Sequence, residues 1–381
     1  MSHPDYTDYT DRFSMSAALI KMAYEHRNKG FLPFIVNHMN YWIDGEDPDL
    51  IPDDYFSNPA SMTGFQLRKI NQHLQLFNDN YIPFLMPWYG TGVVPSAVGC
   101  QVQFPPKGDP ALKNAIINDP AQIKGLKKPD PYNDGLMPRV LQTIDYMKNA
   151  TSLPVGVTDV QGPLNIALSL CGVENLFLWM YLHPDEVHEI MEYSTEVLID
   201  WIRVQKEHAG QENNSGAWPH GILLPEGFGG IWISDDDCTQ LPADLYREFV
   251  VPYNSMVLKA FGGGTIHFCG SARHQLQNFL ETEGLTGINN FCMGDFAQVK
   301  EMQELFKNKI TLMLCDFAPF DPEKYFNQLF SFLKPEGIIL SSYVVPCYAL
   351  HEGRYVRDKR DTIEVSKRIY DIIVRYRVET L

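Results

Sequence analysis

An alternation of short apolar strands with helices along most of the chain is the strongest constraint on the fold. Eight segments read as strands, most of them followed by a helical pattern of about 12 to 20 residues, and they begin near residues 31, 81, 153, 221, 265, 285, 310 and 337. Strands that alternate with helices form parallel sheets buried on both faces. Eight such units predict an α/β fold, a closed (β/α)8 TIM barrel. An open doubly wound sheet is the alternative, but no Gly-x-Gly-x-x-Gly follows the first strand.

A helical pattern, SMSAALIKMAYEHR, comes before the first of these strands. We therefore expect residues 1–30 to form an N-terminal helical extension and residues 31–381 to form the barrel. Pro252 lies in the middle of the predicted helix PADLYREFVVPYNSMVLKAF. Proline removes a backbone hydrogen bond from a helix interior, which predicts a kink there.

The charge balance argues against a nucleic-acid-binding protein. The chain has 381 residues with 31 Lys and Arg against 47 Asp and Glu, a net charge of −16, and its most basic stretch, RYVRDKR at residues 354–360, contains Asp358. Every apolar run is interrupted before the roughly 18 residues of a membrane helix, and the acidic start resembles no secretory signal. Seven scattered cysteines do not suit a disulfide scaffold. We expect a cytoplasmic protein without membrane or nucleic-acid partners.

The end of the fifth predicted strand places a histidine and a cysteine side by side. His267 and Cys269, in TIHFCG, are two residues apart and therefore point to the same face of a strand. Cys347 follows the eighth strand, and barrel strands bring their carboxyl ends to one mouth. One imidazole and two thiolates with a free position are typical of catalytic zinc. Cys315 and then Cys292 are alternative third ligands, and ordinary buried side chains are the competing interpretation.

Several longer stretches resemble the uroporphyrinogen decarboxylase superfamily of (β/α)8 barrels. They occur in the order typical of that superfamily and cover most of the chain: PSAVGCQVQF, VGVTDVQGPLNIALSLCG, HPDEVHEIMEYSTE, WISDDDCTQLPADLYREFVVPY and GGGTIHFCG. The decarboxylases carry an arginine-rich segment after the first strand and an aspartate after the second. Here these places read FIVNHMNYW and FLMPWYG, and the late Gly-His-Gly is replaced by residues 346–348, PCY. Uroporphyrinogen decarboxylation is therefore not expected.

The metal pattern is similar to that of a second branch, the zinc-dependent methyltransferases that work with corrinoid proteins. The resemblance implies that Zn²⁺ is held by His267, Cys269 and Cys347. Cobalamin-independent methionine synthase adds a glutamate on the next strand, where this chain has Asn289 and Asn290. Glu226, at the end of the predicted fourth strand, is the candidate for a fourth ligand.

The resemblance implies an enzyme that exchanges a methyl group between a small substrate and a corrinoid protein. The substrate would be a methyl ether, methanol or a thiol, and the corrinoid would belong to the partner, since no Asp-x-His-x-x-Gly motif occurs in this chain. A metal-free decarboxylase and a non-catalytic binding barrel are the alternatives.

Polar and aromatic residues near the predicted strand ends complete the expected site. Asp159 and Asn290 are candidate catalytic residues because they end the third and sixth strands. Aromatic side chains suit a flat substrate, although ordinary packing explains them equally well. The predicted substrate-binding residues are His38, Trp88, Tyr89, Phe228 and Tyr343.

Overall fold

The computed structural model describes residues 6–37, 52–105, 108–211, 216–218, 222–345 and 348–380. The strands are β1 (Phe34–Asn37), β2 (Val102–Gln103), β3 (Ala111–Leu112), β4 (Gly216–Trp218), β5 (Ile222–Leu224), β6 (Ile231–Ser234), β7 (Gly264–Cys269), β8 (Leu285–Phe291), β9 (Thr311–Phe317), β10 (Ile338–Tyr343), β11 (Tyr348–His351) and β12 (Arg354–Arg357). Six of them form a central parallel sheet in the order β1-β10-β9-β8-β7-β6. β1, the first strand in the chain, thus pairs with β10, the last strand of this sheet in chain order, as closure of a barrel requires.

The helices surround this sheet. They are α1 (Thr10–Tyr24), α2 (Pro59–Leu76), α3 (Val93–Val98), α4 (Met137–Ala150), α5 (Pro163–Cys171), α6 (Val173–Leu182), α7 (Pro184–Ala209), α8 (Ala243–Phe249), α9 (Val251–Ala260), α10 (Leu276–Glu281), α11 (Phe296–Leu305), α12 (Pro322–Phe330) and α13 (Thr362–Thr380). Short 3₁₀ turns lie at Thr7–Tyr9, Pro120–Gly125, Asp236–Thr239 and Arg273–Gln275. The helices bury the outer faces of the parallel strands, which is the usual arrangement of an α/β fold.

Single parallel bridges continue the sheet on its remaining side. Leu85 pairs with Val155, and Gln161 pairs with Ser234 at the end of β6. Asn80 N–H donates to Phe34 O of β1 at 2.9 Å. Eight parallel segments therefore follow one another in the order of a (β/α)8 barrel, with continuous strand pairing over six of them. The predicted fold class is confirmed.

The fourth barrel strand differs from the prediction. The segment near residue 221 forms β5, which pairs antiparallel with β4 outside the central sheet. The barrel strand is β6, whose four residues are all buried and which pairs in parallel with β7. Two apolar runs lie close together here, and burial on both faces selects the second as the barrel strand.

The predicted kink near Pro252 is confirmed as a break between two helices. Val250 separates α8 from α9 with φ −124° and ψ −47°, and Pro252 lies in the first turn of α9. Among the described residues no single helix has the length and apolarity to cross a membrane. Among the described helices, only the pair α5 and α6 has the required length and apolarity, and the chain bends by 104° between these two helices.

Helix α1 packs against the amino ends of β7 and β8. The Tyr24 hydroxyl lies 3.5 Å from Thr265 Oγ1, at the start of β7. A side chain on Gly287 would come within 3.2 Å of the same hydroxyl. The close approach of α1 therefore depends on glycine at position 287.

A buried carboxylate joins α1, α2 and β1. The Asp79 carboxylate accepts hydrogen bonds from Val36 N–H at 2.9 Å and from Arg12 Nη2 at 3.2 Å. It also lies 3.0 Å from Nε2 of the buried His73. Burial alone would raise the pKa of Asp79, but His73, the Val36 N–H and Arg12 outweigh it and hold this pKa below its usual value.

We expect Asp79→Ala to lower the free energy of unfolding by about 3–5 kcal/mol, because it strips a buried ion pair of one partner. Chemical denaturation at pH 7 measures this loss. Asp145→Ala is the matched control: it also removes a carboxylate paired with a histidine, His208, but on the surface, where the loss should be about 0–1 kcal/mol. Equal losses in the two variants would contradict the role of Asp79.

Candidate active site at the barrel mouth

A cavity of about 400 Å³ lies at the carboxyl ends of the barrel strands. Its wall consists of Trp88, Gly90, Thr91, Asp109, Pro110, Asp159, Gln161, Trp232, Ser234, Asp236, His267, Cys269, Phe291, Phe317, Tyr343 and Tyr355. A larger cavity, of about 630 Å³, lies between α12 and the β11–β12 hairpin. The smaller cavity is the candidate active site because His267 and Cys269, two of the predicted metal ligands, line it.

Three potential metal ligands converge in this cavity. The ligand atoms of Asp236, His267 and Cys269 all lie within 4.8 Å of one another. His267 Nε2 lies 3.6 Å from Cys269 Sγ and 3.7 Å from Asp236 Oδ1. A nitrogen, a thiol sulfur and a carboxylate oxygen are all ligands that zinc accepts in tetrahedral sites. The donor set therefore fits a divalent zinc ion.

The pairing of β6 with β7 brings these residues together. Ser234 of β6 lies opposite His267, and Asp235 N–H donates to His267 O at 2.8 Å. The next residue, Asp236, accepts from Cys269 N–H at 2.7 Å. Because side chains alternate between the two faces of β7, His267 and Cys269 point to the same face.

Asp235 anchors the turn that carries Asp236. Its carboxylate is fully buried and accepts hydrogen bonds from Tyr246 Oη at 2.5 Å and Asn254 Nδ2 at 2.9 Å, both from the two helices after β6. Burial raises the pKa of Asp235 to about 6, although both hydrogen bonds oppose the rise. The two neighbouring aspartates thus have different tasks: Asp235 fixes the backbone and Asp236 faces the cavity.

Asn289 fixes the orientation of the His267 ring. Its Nδ2 donates to Met313 O at 3.1 Å, so its Oδ1 is the atom that faces His267 Nδ1. An oxygen acceptor at Nδ1 requires the proton on that nitrogen and leaves a lone pair on Nε2. Nε2 is the atom that faces Cys269 and Asp236. A hydrogen-bonded second nitrogen is the usual support of a metal-binding histidine.

The Cys269 thiol depends on a cation for its reactivity. Burial, with the charge and hydrogen bonding of Asp236 adding to it, raises the pKa of this thiol far above its usual value. The thiol alone would stay protonated at neutral pH. A divalent cation reverses this balance, because a coordinating thiol loses its proton.

Two further carboxyl groups lie in the cavity wall. Burial, assisted by the charges of Asp236 and Asp109, raises the pKa of Asp159 to about 7. Burial also raises the pKa of Asp109 to about 6, against the effect of a 2.7 Å hydrogen bond from Trp88 Nε1. Carboxyl groups with such raised values occur preferentially at functional sites.

Some predicted site residues lie in the cavity and others do not. Asp159, Trp88 and Tyr343 line it together with His267 and Cys269. His38 and Cys347 lie outside the described residues.

Tyr89 and Phe228 are not in the cavity wall. Tyr89 is fully buried and its hydroxyl lies 2.8 Å from Thr143 Oγ1 of α4, in the helical layer. Phe228 precedes β6 and contacts Tyr24, with 5.3 Å between ring centroids, so it lies at the amino end of the barrel. The sequence predicts Phe228 at the mouth because the segment near residue 221, which precedes it, reads as the fourth barrel strand, whereas that strand is β6.

The structure does not bring Glu226 to the group formed by Asp236, His267 and Cys269, for the same reason. Glu226 is an exposed turn residue after β5, not the end of a barrel strand. The carboxylate beside His267 and Cys269 is Asp236, in WISDDDC after the true fourth strand. Had IWIS been taken as the barrel strand, the strand-end rule would have found Asp236.

The side-chain amide of Asn290 bonds to the backbone of the barrel and to helix α11. Its Nδ2 donates to Phe268 O and Gly270 O, both at 3.1 Å, and its Oδ1 accepts from Gln298 Nε2 at 3.0 Å. These bonds occupy the amide away from the cavity wall. The asparagine that serves the site is its neighbour, Asn289.

The alternative cysteine ligands are separate from the metal-ligating group. Cys315 is buried among Phe291, Phe317 and Tyr343. Cys292 Sγ lies 3.0 Å from Asp316 Oδ2, in a different buried network. Neither thiol belongs to the group formed by Asp236, His267 and Cys269.

Comparisons with known proteins agree with this architecture. Residues 55–212 match the uroporphyrinogen decarboxylase (URO-D) family. The resemblance predicted from the sequence is confirmed. A methylated-thiol–coenzyme M methyltransferase of Methanosarcina mazei is 21% identical over 251 residues, which are 64% of this chain and 62% of that protein. The match therefore spans less than two thirds of the relative's length.

A solved structure gives the same result for the fold. A methyltransferase from Methanosarcina mazei superposes with a TM-score of 0.68 at 16% identity, over 96% of this chain and 98% of that one. The likeness extends over nearly the whole of both chains. At this identity it establishes the shared fold.

Asn289→Ala should weaken Zn²⁺ binding by about 10–100-fold, because the imidazole loses the group that fixes its tautomer. Competition with a chromophoric chelator measures this affinity. Asn290→Ala is the matched control from the same strand, and its folded fraction should bind Zn²⁺ as the wild type does. Unchanged affinity in Asn289→Ala would contradict the assignment.

Asp159→Asn should stabilise the metal-free protein more at pH 8 than at pH 5. The raised pKa means that the stabilising contribution of the neutral acid is complete below the unfolded-state pKa near 3.9 and is lost as the pH rises through about 7. The amide has no such loss, so the melting temperature should rise by a few degrees relative to wild type at pH 8. Asp53→Asn, at an exposed position, is the matched control. It should shift the melting temperature by the same amount at pH 5 and at pH 8.

Proposed function

We propose that this protein is a zinc-dependent methyltransferase that exchanges a methyl group between a small substrate and a corrinoid protein. The observation that carries the proposal is the convergence of Asp236, His267 and Cys269 at the barrel mouth. The name of the Methanosarcina relative, a methylated-thiol–coenzyme M methyltransferase, supports the reaction class.

Zinc at this position would supply Lewis-acid activation of the oxygen or sulfur atom that carries or receives the methyl group. The residues of the chain have defined tasks around it. His267, Cys269 and Asp236 would hold the ion, and Asn289 would keep the imidazole in the tautomer that leaves Nε2 free to bind it.

Asp159 is suited to carry a proton in this reaction. Its pKa of about 7 allows both protonation states near neutral pH. General acid–base catalysis is most effective when the pKa lies near the working pH. We propose that Asp159 donates a proton to a departing alkoxide or phenolate, or accepts one from an incoming thiol.

Cys347 remains our candidate for a further zinc ligand. The described residues on either side support its inclusion: Val345 is buried in the cluster of Phe291, Phe317 and Tyr343, and Tyr348 packs on that cluster as Cys269 does. With His267, Cys269 and Asp236, a second thiolate would give four protein groups able to hold the ion.

The corrinoid would come from a partner protein that docks over the barrel mouth. Asp236 is 44% exposed there, so the metal-ligating group is accessible from outside. The stretch 104–136 contributes Asp109 and Pro110 to the cavity wall and is one candidate docking element. The other candidate is the loop 44–54, most of which lies outside the described residues. We further propose that the protein works in the cytoplasm.

A uroporphyrinogen decarboxylase activity is disfavoured by the charge of the cavity. Its described wall contains three aspartates and no lysine or arginine, whereas a polycarboxylate substrate requires cations. A non-catalytic binding barrel is the remaining alternative, and it would bind small molecules without transferring methyl groups.

Elemental analysis tests the metal. We expect about one zinc ion per purified chain, almost none in His267→Ala or Cys269→Ala, and a strongly reduced content in Cys347→Ala. Cys315→Ala is the matched thiol control and should keep its zinc. Normal zinc content in Cys269→Ala would contradict the site.

Methyl transfer tests the activity. The zinc-loaded protein should transfer the methyl group of methylcobalamin, used as a stand-in for the corrinoid protein, to a small thiol, and Asp159→Asn should lower the rate by about 10²–10⁴-fold. Cobalamin absorbance follows the reaction. Turnover that survives complete chelation would favour a metal-free lyase, and zinc binding without any transfer would favour a binding protein.

A further inference from the structure

We propose that the substrate is a small thiol or methyl ether whose far end carries a positive charge, an ammonium or quaternary ammonium group. The inference rests on the proposed function, because it takes the metal-ligating group as the reacting end of the cavity. It assigns Asp109, together with the aromatic wall, to the recognition of the cationic end, while Asp159 keeps its role at the reacting end.

The charge of the wall is the first argument. Of the described residues that line the cavity, three are aspartates, one is histidine and none is lysine or arginine. Lys107 lies outside the described residues and is two residues from Asp109 in the sequence, so it is included in the test below. An anionic group at this wall would meet like charge without compensation.

A bound metal ion does not reverse this balance. Asp236 and the thiolate of Cys269 are both anionic, so these two ligands alone neutralise the charge of a divalent ion. Among the described wall residues, the remaining negative charge is then that of Asp109 and of the ionised fraction of Asp159. The described wall therefore attracts cations and repels anions.

The two carboxyl groups are fixed at the wall. Asp109 accepts from Trp88 Nε1 at 2.7 Å, and Asp159 accepts from Gln161 Nε2 at 3.3 Å. Each group has further acceptor positions, since a carboxylate offers about four. Asp109 can therefore accept from, or face, an ammonium group on the substrate.

The aromatic residues of the wall suit the same ligand. Phe317 has its ring centroid 4.6 Å from that of Tyr355, 5.5 Å from that of Phe291 and 5.9 Å from that of Tyr343. Trp88 and Trp232 also line the cavity. Aromatic rings around a cavity recognise alkylammonium groups through cation–π contacts. Carboxylates and rings together select a cation over a neutral molecule of the same shape.

This selectivity is opposite to the one that coenzyme M would require. Coenzyme M, in the name of the Methanosarcina relative, is a thiol with a sulfonate at its far end. A sulfonate is bound by arginine or lysine. The described wall of this cavity offers neither, so the two proteins should differ in the charge of their small substrate.

Three thiols of nearly equal length separate the alternatives. Calorimetric titration of the zinc-loaded full chain at pH 7.5 compares 2-aminoethanethiol, 2-mercaptoethanol and 2-mercaptoethanesulfonate, which are cationic, neutral and anionic. We expect affinity to fall in that order, with the cation binding at least tenfold more tightly than the anion. Equal affinities, or tighter binding of the sulfonate, would overturn the inference.

Substitutions locate the recognition. Asp109→Asn should reduce the ratio of cation to anion affinity severalfold while the affinity for 2-mercaptoethanol changes little. Lys107→Ala should leave the ratio unchanged. A ratio that Asp109→Asn leaves unaffected would overturn the assignment.

A metal-free measurement separates this inference from the proposed function. Tetramethylammonium should quench tryptophan fluorescence of the zinc-free protein at lower concentration than methanesulfonate quenches it, and Asp109→Asn should reduce the difference. If this holds while the protein binds no zinc, the proposed metal site fails and the charge selectivity stands. If zinc binds and the two ions quench alike, the charge selectivity fails and the metal site stands.

Discussion

Asp236, His267 and Cys269 meet because β6 and β7 pair in parallel with Ser234 opposite His267. With this register, the turn after β6 places Asp236 next to Cys269. The hydrogen bond from Cys269 N–H to the Asp236 carboxylate holds the turn in this position. The neighbouring pairing of β7 with β8 places Asn289 opposite His267. Two strand registers thus supply both the metal-ligating atoms and the group that orients the imidazole. A slip of one residue in either would turn these side chains to the other face.

The sequence predicted the part of this arrangement that depends on local spacing. His267 and Cys269 share a strand, so their common direction follows from alternation alone. Asp236 could not be found in the same way, because it depended on choosing IWIS rather than GILL as the barrel strand, and only burial within the assembled sheet separates the two. Asn289 and Asn290 point in opposite directions, and the pairing of β8 with β7 decides which one serves the site.

The site also carries a cost in stability. Asp159, Asp109 and Asp235 are carboxyl groups whose pKa values of about 7, 6 and 6 record unfavourable burial of their charged forms. A fold optimised only for stability would replace these acids by amides or apolar residues. Their presence at one end of the barrel is consistent with selection for chemistry. The opposite end, where α1 packs on β7 and β8, contains ordinary core contacts.

The packing of α1 has a consequence for the order of events. With the amino end of the barrel covered, the cavity is reached from the mouth, where the metal-ligating group is also exposed. In an enzyme of the proposed kind, the small substrate and the protein partner would then use the same entrance, the barrel mouth. The small molecule would have to enter before the partner closes it, and a large excess of partner would slow turnover by occupying the entrance too early.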